Sequence, residues 1–161
     1  MIELEIITED NFEECIGLKV LDSQIGYLAS NAYSLSETYA LTNHPLNIPM
    51  PFAIYNKETM VGFALVVYQP RDINDPDDDE DIYYLSRIMI DNKYQGFGYG
   101  KQALYQIIEL VNSRPHGPAT TLILSSSPEN NPAYSLYLSA GFRKMGIKDV
   151  DEDEIIKLKL R

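Results

Sequence analysis

Tyr94-Gln95-Gly96-Phe97-Gly98-Tyr99-Gly100-Lys101 sets a glycine at every second position and runs straight into an amphipathic stretch. Glycine in place of alanine costs about 0.5–1 kcal/mol inside regular structure, so a cluster marks unusual backbone angles or a close approach of the backbone to something else. The residues before it, Ile82–Ile90, are aromatic and apolar apart from Ser86 and Arg87 and read as a strand. Those after it, Tyr99–Ser113, put Leu104, Ile107, Ile108 and Val111 on one helical face. Strand, glycine turn and helix in that order can cradle an anion, because glycines let N–H groups approach it and the helix start adds partial positive charge. Two common phosphate patterns do not apply. The dinucleotide fingerprint needs G-x-G-x-x-G, and the P-loop needs Ser or Thr after its lysine, whereas Gln102 follows Lys101.

Outward from the turn, the chain alternates strands and helices. Ile2–Ile7 alternates apolar and acidic residues like a half-buried strand. Asp10 is a candidate cap for a helix carrying Phe12, Cys15, Ile16 and Val20, and Tyr33–Leu41 reads as a second helix. The prolines of His44–Pro51 predict a loop, and Phe52–Gln69 reads as two strands joined at Asn56–Thr59. Ala119–Ser126 carries the apolar run Leu122-Ile123-Leu124 and reads as a central strand. Asn131 is a candidate N-cap, with Pro132 opening a helix that Gly141 ends. Phe142–Ile147 and Ile155–Leu160 close the chain as strands. The expectation is an α/β (α+β) fold in one domain over 1–161.

Composition narrows the setting. The 161 residues are 45% hydrophobic and 23% charged, ordinary for a globular domain, and show neither a membrane-length apolar run nor a signal-peptide opening. One cysteine, Cys15, cannot form an internal disulfide and fits a reducing cytoplasm; among apolar neighbours it reads as a buried thiol. A net charge of −11 disfavours nucleic acid and anionic membranes and favours cationic partners. Seven of the ten residues from Asp72 to Asp81 are acidic, and a second acidic cluster runs from Asp149 to Glu154. Each reads as a solvated loop or as a negative rim for a polycation. No metal is expected: Asp72–Tyr83 lacks the glycine and glutamate of an EF-hand loop.

The turn resembles the Q/R-x-x-G-x-G/A signature of GNAT acetyltransferases through Gln95-Gly96-Phe97-Gly98-Tyr99-Gly100. Downstream, Asn130-Asn131-Pro132-Ala133-Tyr134-Ser135-Leu136-Tyr137 is similar to that family's N-x-x-A-x-x-L-Y, and Gly141-Phe142 supplies its following G-F. Tyr84–Gly100, Ser23–Glu37 and the acidic loop before Ile82 further resemble bacterial spermine/spermidine acetyltransferases. The resemblance implies a mixed, mostly antiparallel sheet of six to seven strands with flanking helices, splayed between the fourth and fifth strands. It implies acetyl-CoA as acyl donor. The N–H groups of Gln95, Gly96, Phe97, Gly98, Tyr99, Gly100 and Lys101 would hold the pyrophosphate. Ile88, Met89 and Ile90 would bind the pantetheine arm along a strand edge, and Asn130 would place that arm near the thioester. The acceptor would be a small cationic amine, and a homodimer is possible by analogy.

Acetyl transfer to an amine needs a base, an oxyanion donor and an acid for the thiolate. The resemblance puts Tyr137 beside the sulfur as acid, with Tyr134 one turn earlier as the other candidate. The N–H of Ile88 is the expected oxyanion donor. Where polyamine acetyltransferases often carry carboxylates on the fourth strand, this chain has Ser86 and Arg87. Glu37, Ser86 as a relay, and the loop acids Asp77, Asp78, Asp79 and Glu80 are the candidate substrate-binding residues. His44 and His116 fall in proline-flanked loops and read as solvated. No covalent nucleophile lies in the two motifs, which favours direct transfer. Polyamines lead as acceptors, followed by other small amines such as aminoglycosides and then by peptide N-termini. A non-catalytic CoA-binding module is the alternative of a different class.

Overall fold

The computed structural model describes the backbone of residues 1–161 and every side chain except that of Asn131. Seven strands form one sheet: β1 (Ile2–Ile6), β2 (Ile48–Asn56), β3 (Thr59–Gln69), β4 (Ile82–Ile90), β5 (Thr121–Ser126), β6 (Arg143–Lys148) and β7 (Glu154–Lys159). Their spatial order is β1-β2-β3-β4-β5-β7-β6. Four α-helices flank it: α1 (Phe12–Gly17), α2 (Asn31–Thr42), α3 (Tyr99–Asn112) and α4 (Asn131–Ser139). Short 3₁₀ segments cover Asp22–Tyr27 and Asn92–Tyr94. No helix among the described residues is long and apolar enough to cross a membrane.

The two faces of the sheet build separate cores. Buried Leu104, Ile107, Ile108 and Val111 of α3, with Ala103, pack with Tyr83, Leu85, Leu122 and Ile156 of the sheet. The other face buries Phe63, Leu65, Val67 and Met89 with Cys15 of α1. The helix face read from the sequence is therefore the one that is buried. Cys15 is fully buried, and desolvation, with Glu14 adding to it, pushes its thiol up to about 12.

Three local readings change. The cap of α1 is Asn11 rather than Asp10, and that of α4 is Asn130, one residue before Asn131. Gly141, at φ +104°, keeps its place just past the end of α4. The largest change is at His44–Pro51: β2 already begins at Ile48 and carries Pro49 and Pro51. Pro51 turns its backbone toward the β1 side, where its carbonyl accepts from the N–H of Ile7 at 3.0 Å. Pro49 lies beyond the last β1 pair, Ile6 with Phe52, so neither missing N–H breaks the ladder to β3.

Two irregularities of β4 position the site. It pairs antiparallel with β3 along its length but parallel with β5 only at Tyr83 with Leu122 and Tyr84 with Ile123. Beyond Tyr84 the two strands part, leaving one edge of β4 without a strand partner. On the other edge, Leu65 pairs with Arg87 and Val66 with Leu85, so Ser86 is an extra, bulged residue. The bulge reverses the alternation: Tyr83 and Leu85 face the α3 core before it, and Ile88 and Ile90 face the same core after it.

Candidate active site

Two clefts open where β4 leaves β5. The first, about 400 Å³, is lined by Ile88, Met89 and Ile90 of β4, by Gln95, Gly96, Gly98, Tyr99 and Gly100 of the turn, and by Asn130 and Tyr137 on the α4 side. The second, about 500 Å³, is lined by Gly26–Ala29, by Tyr84–Ile88, and by Asp149, Asp151 and Asp153 of the β6–β7 connection. Leu28, Ile88 and Tyr137 line both, so the clefts meet at these side chains.

The turn has the backbone its glycines suggest. Gly96 and Gly98 take φ of +84° and +80°, where L side chains are strained, and Gly98 is the N-cap of α3. A Cβ at either would meet nothing of the protein within 4 Å, so the backbone there faces open space. No side chain caps α3, which leaves its first N–H groups available to an anion. The Gln95 amide donates to the Ile90 carbonyl at 2.9 Å and to Gln24 Oε1 at 2.8 Å, tying the turn to the end of β4. These features fit the diphosphate of a CoA thioester, and the free β4 edge fits a peptide-like pantetheine arm. The side chains of Phe97 and Lys101 point away from the cleft lining: the Phe97 ring is exposed and stacks on Tyr99 at 5.7 Å.

Tyr137 is 8% exposed, and desolvation pushes its phenol up to about 12. Its ring packs edge-on against Phe142 at 6.0 Å. Tyr134 points elsewhere: its hydroxyl donates to Glu154, and Lys144 Nζ lies 5.3 Å from its ring centre. It lines neither cleft. Of the two tyrosines, only Tyr137 stands at the junction of the clefts.

The candidate acceptor residues divide. Ser86 and Arg87 line the second cleft, and Glu37 lies behind them, with the Ser86 hydroxyl donating to Glu37 Oε1 at 3.3 Å. Asp77, Asp78, Asp79 and Glu80 line neither cleft. Their loop enters β4 at its N-terminal end, before the strands part. There Asp78 accepts from the Asp72 N–H at 2.6 Å, while Glu80 pairs with Lys157 and accepts from Thr121 Oγ1 at 2.9 Å. The carboxylates at the cleft belong instead to the Asp149–Glu154 cluster. Sequence alone could not rank the two acidic stretches, because only the β5–β7 pairing brings the second one round to the split. The histidines lie outside both clefts: His44 Nδ1 accepts from the Leu46 N–H, and the His116 N–H donates to Tyr83.

A splayed sheet, a glycine turn at a helix start and a buried tyrosine at the junction of two clefts stand together along one end of β4. The chain matches the Acetyltransferase (GNAT) family over residues 13–142, and it belongs to that family of acetyl-CoA-dependent N-acetyltransferases. It is 26% identical over 155 residues, 96% of each chain, to Spermine/spermidine N(1)-acetyltransferase of Bacillus subtilis (strain 168). Among solved structures it resembles an aminoglycoside acetyltransferase in complex with coenzyme A, with a TM-score of 0.74 at 16% identity, covering 99% of this chain and 95% of that one. It also resembles spermidine N-acetyltransferase from Vibrio cholerae in complex with CoA and spermine, with a TM-score of 0.67 at 12% identity, covering 97% and 92%. The two structural likenesses establish the fold.

Proposed function

We propose that the protein acetylates a primary amine of a linear polyamine such as spermidine or spermine, by direct attack in a ternary complex. The observation that carries this reading is the second cleft, where Asp149, Asp151 and Asp153 stand on a wall of the space that meets the donor cleft at Tyr137. Desolvation and the neighbouring carboxylates Asp149 and Asp151 push the Asp153 carboxyl above its ordinary range. A distal ammonium placed among these groups relieves their repulsion while the reacting amine sits at the junction. The names of the Bacillus subtilis relatives support the same class of acceptor. The lone buried thiol suits a reducing cytoplasm.

Acetyl-CoA supplies the acyl group as a thioester. Backbone N–H groups from Gln95 to Lys101 hold its diphosphate, the free edge of β4 holds the pantetheine arm, and Asn130 helps to place it. The Ile88 N–H stabilises the oxyanion, and Tyr137 gives its proton to the departing thiolate. Cys15 takes no acyl group, being buried in the opposite core.

The test is thiol release from acetyl-CoA across spermine, spermidine, aminoglycosides, amino acids, a basic peptide and simple monoamines. Polyamines are expected to show the highest kcat/KM. A higher kcat/KM for a monoamine or a peptide N-terminus would overturn the polyamine assignment.

A further inference from the structure

We infer that Ser86 receives a hydrogen bond from the reacting amine and relays its proton to Glu37, and that Arg87 holds the Ser86 hydroxyl in place for this. The inference rests on the amine-acetylation reading and supplies the base it lacks. A serine hydroxyl has one hydrogen to give and two lone pairs to receive. The hydrogen goes to Glu37 Oε1 at 3.3 Å, and one lone pair receives from Arg87 Nη1 at 3.2 Å. What remains is a single acceptor site, on a residue that lines the acceptor cleft. It can greet an N–H group and nothing that only accepts.

The β4 bulge sets this arrangement. As the extra residue on its strand, Ser86 escapes the alternation that would send it to one core or the other. Arg87 folds back on its neighbour, its Nη1 also donating to the Ser86 carbonyl at 2.7 Å, while Nη2 stands 3.9 Å from Glu37 Oε2. Arg87 Nε is buried with no hydrogen-bond partner among the described residues, so the guanidinium is held by its Nη contacts alone. With Glu37 beside it, the Arg87 charge is matched, and a cation can approach the cleft. Glu37 lines neither cleft, so it acts on the amine only through Ser86.

The proton balance closes. The bound ammonium gives one proton to Ser86 Oγ as the Ser86 hydrogen passes to the Glu37 carboxylate. The neutral amine forms its C–N bond to the acyl carbon while the C–S bond breaks. Tyr137 protonates the departing thiolate and regains a proton from the new amide nitrogen. The proton on Glu37 leaves to solvent, to which its side chain is 31% exposed.

The experiment uses Ser86→Ala, Ser86→Thr, Glu37→Gln and the double variant Ser86→Ala/Glu37→Gln. Each is assayed with acetyl-CoA and the best amine of the panel, with CoA affinity by calorimetry and folding by circular dichroism. Ser86→Ala and Glu37→Gln should each lower kcat roughly 10²-fold with CoA affinity unchanged. The double variant should be no slower than either single one, because both act through one hydroxyl. Ser86→Thr keeps the hydroxyl and should retain most of the turnover. Multiplying losses in the double variant, wild-type kcat in either single variant, or a Thr variant as slow as Ala in folded protein would overturn the inference. If another amine is acetylated and polyamines are not, only the polyamine acceptor fails, and Ser86 is judged on that amine. If CoA binds and no amine is acetylated, both readings fail.

Discussion

At the scale of the residue, Tyr137 shows what placement adds to identity. It is one of twelve tyrosines, and the sequence could single it out only by motif resemblance. Its surroundings set its protonation: desolvation pushes the phenol up to about 12, so it holds its proton throughout the neutral range. Tyr137→Phe keeps the ring against Phe142 and removes the O–H. It should lower kcat by roughly 10²–10⁴ with little change in CoA affinity, and wild-type turnover in that variant would hand the role to solvent. The pH dependence has a definite sign. An acid works while protonated, so its contribution persists below its pKa and is lost as pH rises through about 12. The wild-type kcat profile should therefore show no phenolic fall near the ordinary tyrosine value of about 10. A fall centred there, absent from the Phe variant, would show that the hydroxyl is solvated during turnover.

At the scale of the element, the glycine turn carries the sharpest contrast. Gly98 has positive φ and open space around it, so a side chain there is strained by backbone angle rather than by collision. That strain is about 1–2 kcal/mol. Gly100 has no positive φ, and a Cβ on it would rest 3.6 Å from Ile90 Cγ1, an ordinary contact. Gly98→Val should melt a few degrees lower and lose most of its CoA affinity by calorimetry, while Gly100→Ala should keep its melting temperature. Unchanged CoA affinity in folded Gly98→Val would remove the turn from the donor site. Elements were largely legible because their signals are local: the 3.6-residue face of α3, the alternation of β1, the turn itself. What eluded the sequence was relational. Pro49 and Pro51 can sit in β2 because β1 stops at Ile6, which no pattern within His44–Pro51 reveals. The Ser86 bulge, likewise, exists only in register with β3.

At the scale of the whole molecule, two consequences follow from how groups are distributed between interior and surface. Cys15 and Tyr137 are both buried neutral, with pKa values of about 12 against ordinary values of 9.0 and 10.0. Each contributes stability that is complete below its unfolded pKa and is lost as pH rises through the folded one, because the unfolded chain gives up the proton first. Denaturant unfolding should therefore lose about 1.4 kcal/mol per pH unit for each group above its unfolded pKa. Cys15→Ala should lower the slope above pH 9 by one proton, and a slope unchanged by that variant would mean that the thiol is ionised in the fold. The surface distribution of the −11 charge is the other consequence. The two acidic stretches look alike as sequence, yet one enters β4 before the split and the other borders the cleft. Converting Asp149, Asp151 and Asp153 together to Asn should raise KM for spermine several-fold more than for a monoamine, with kcat nearly unchanged, because the loss falls on uniform binding. Asp149 also accepts from the Asp151 and Asp153 N–H groups at 2.9 and 3.0 Å, bonds that an Asn side-chain oxygen can keep. Added salt should reproduce the effect in the wild type, since Asp151 is exposed and the Debye length is only about 8 Å at physiological ionic strength. Converting Asp77, Asp78 and Asp79 to Asn should leave both KM values where they were, which separates the cleft acids from net charge. Equal shifts from the two triple variants would mean that the acids act only as a diffuse field, and that the distal amine of the substrate has no fixed seat.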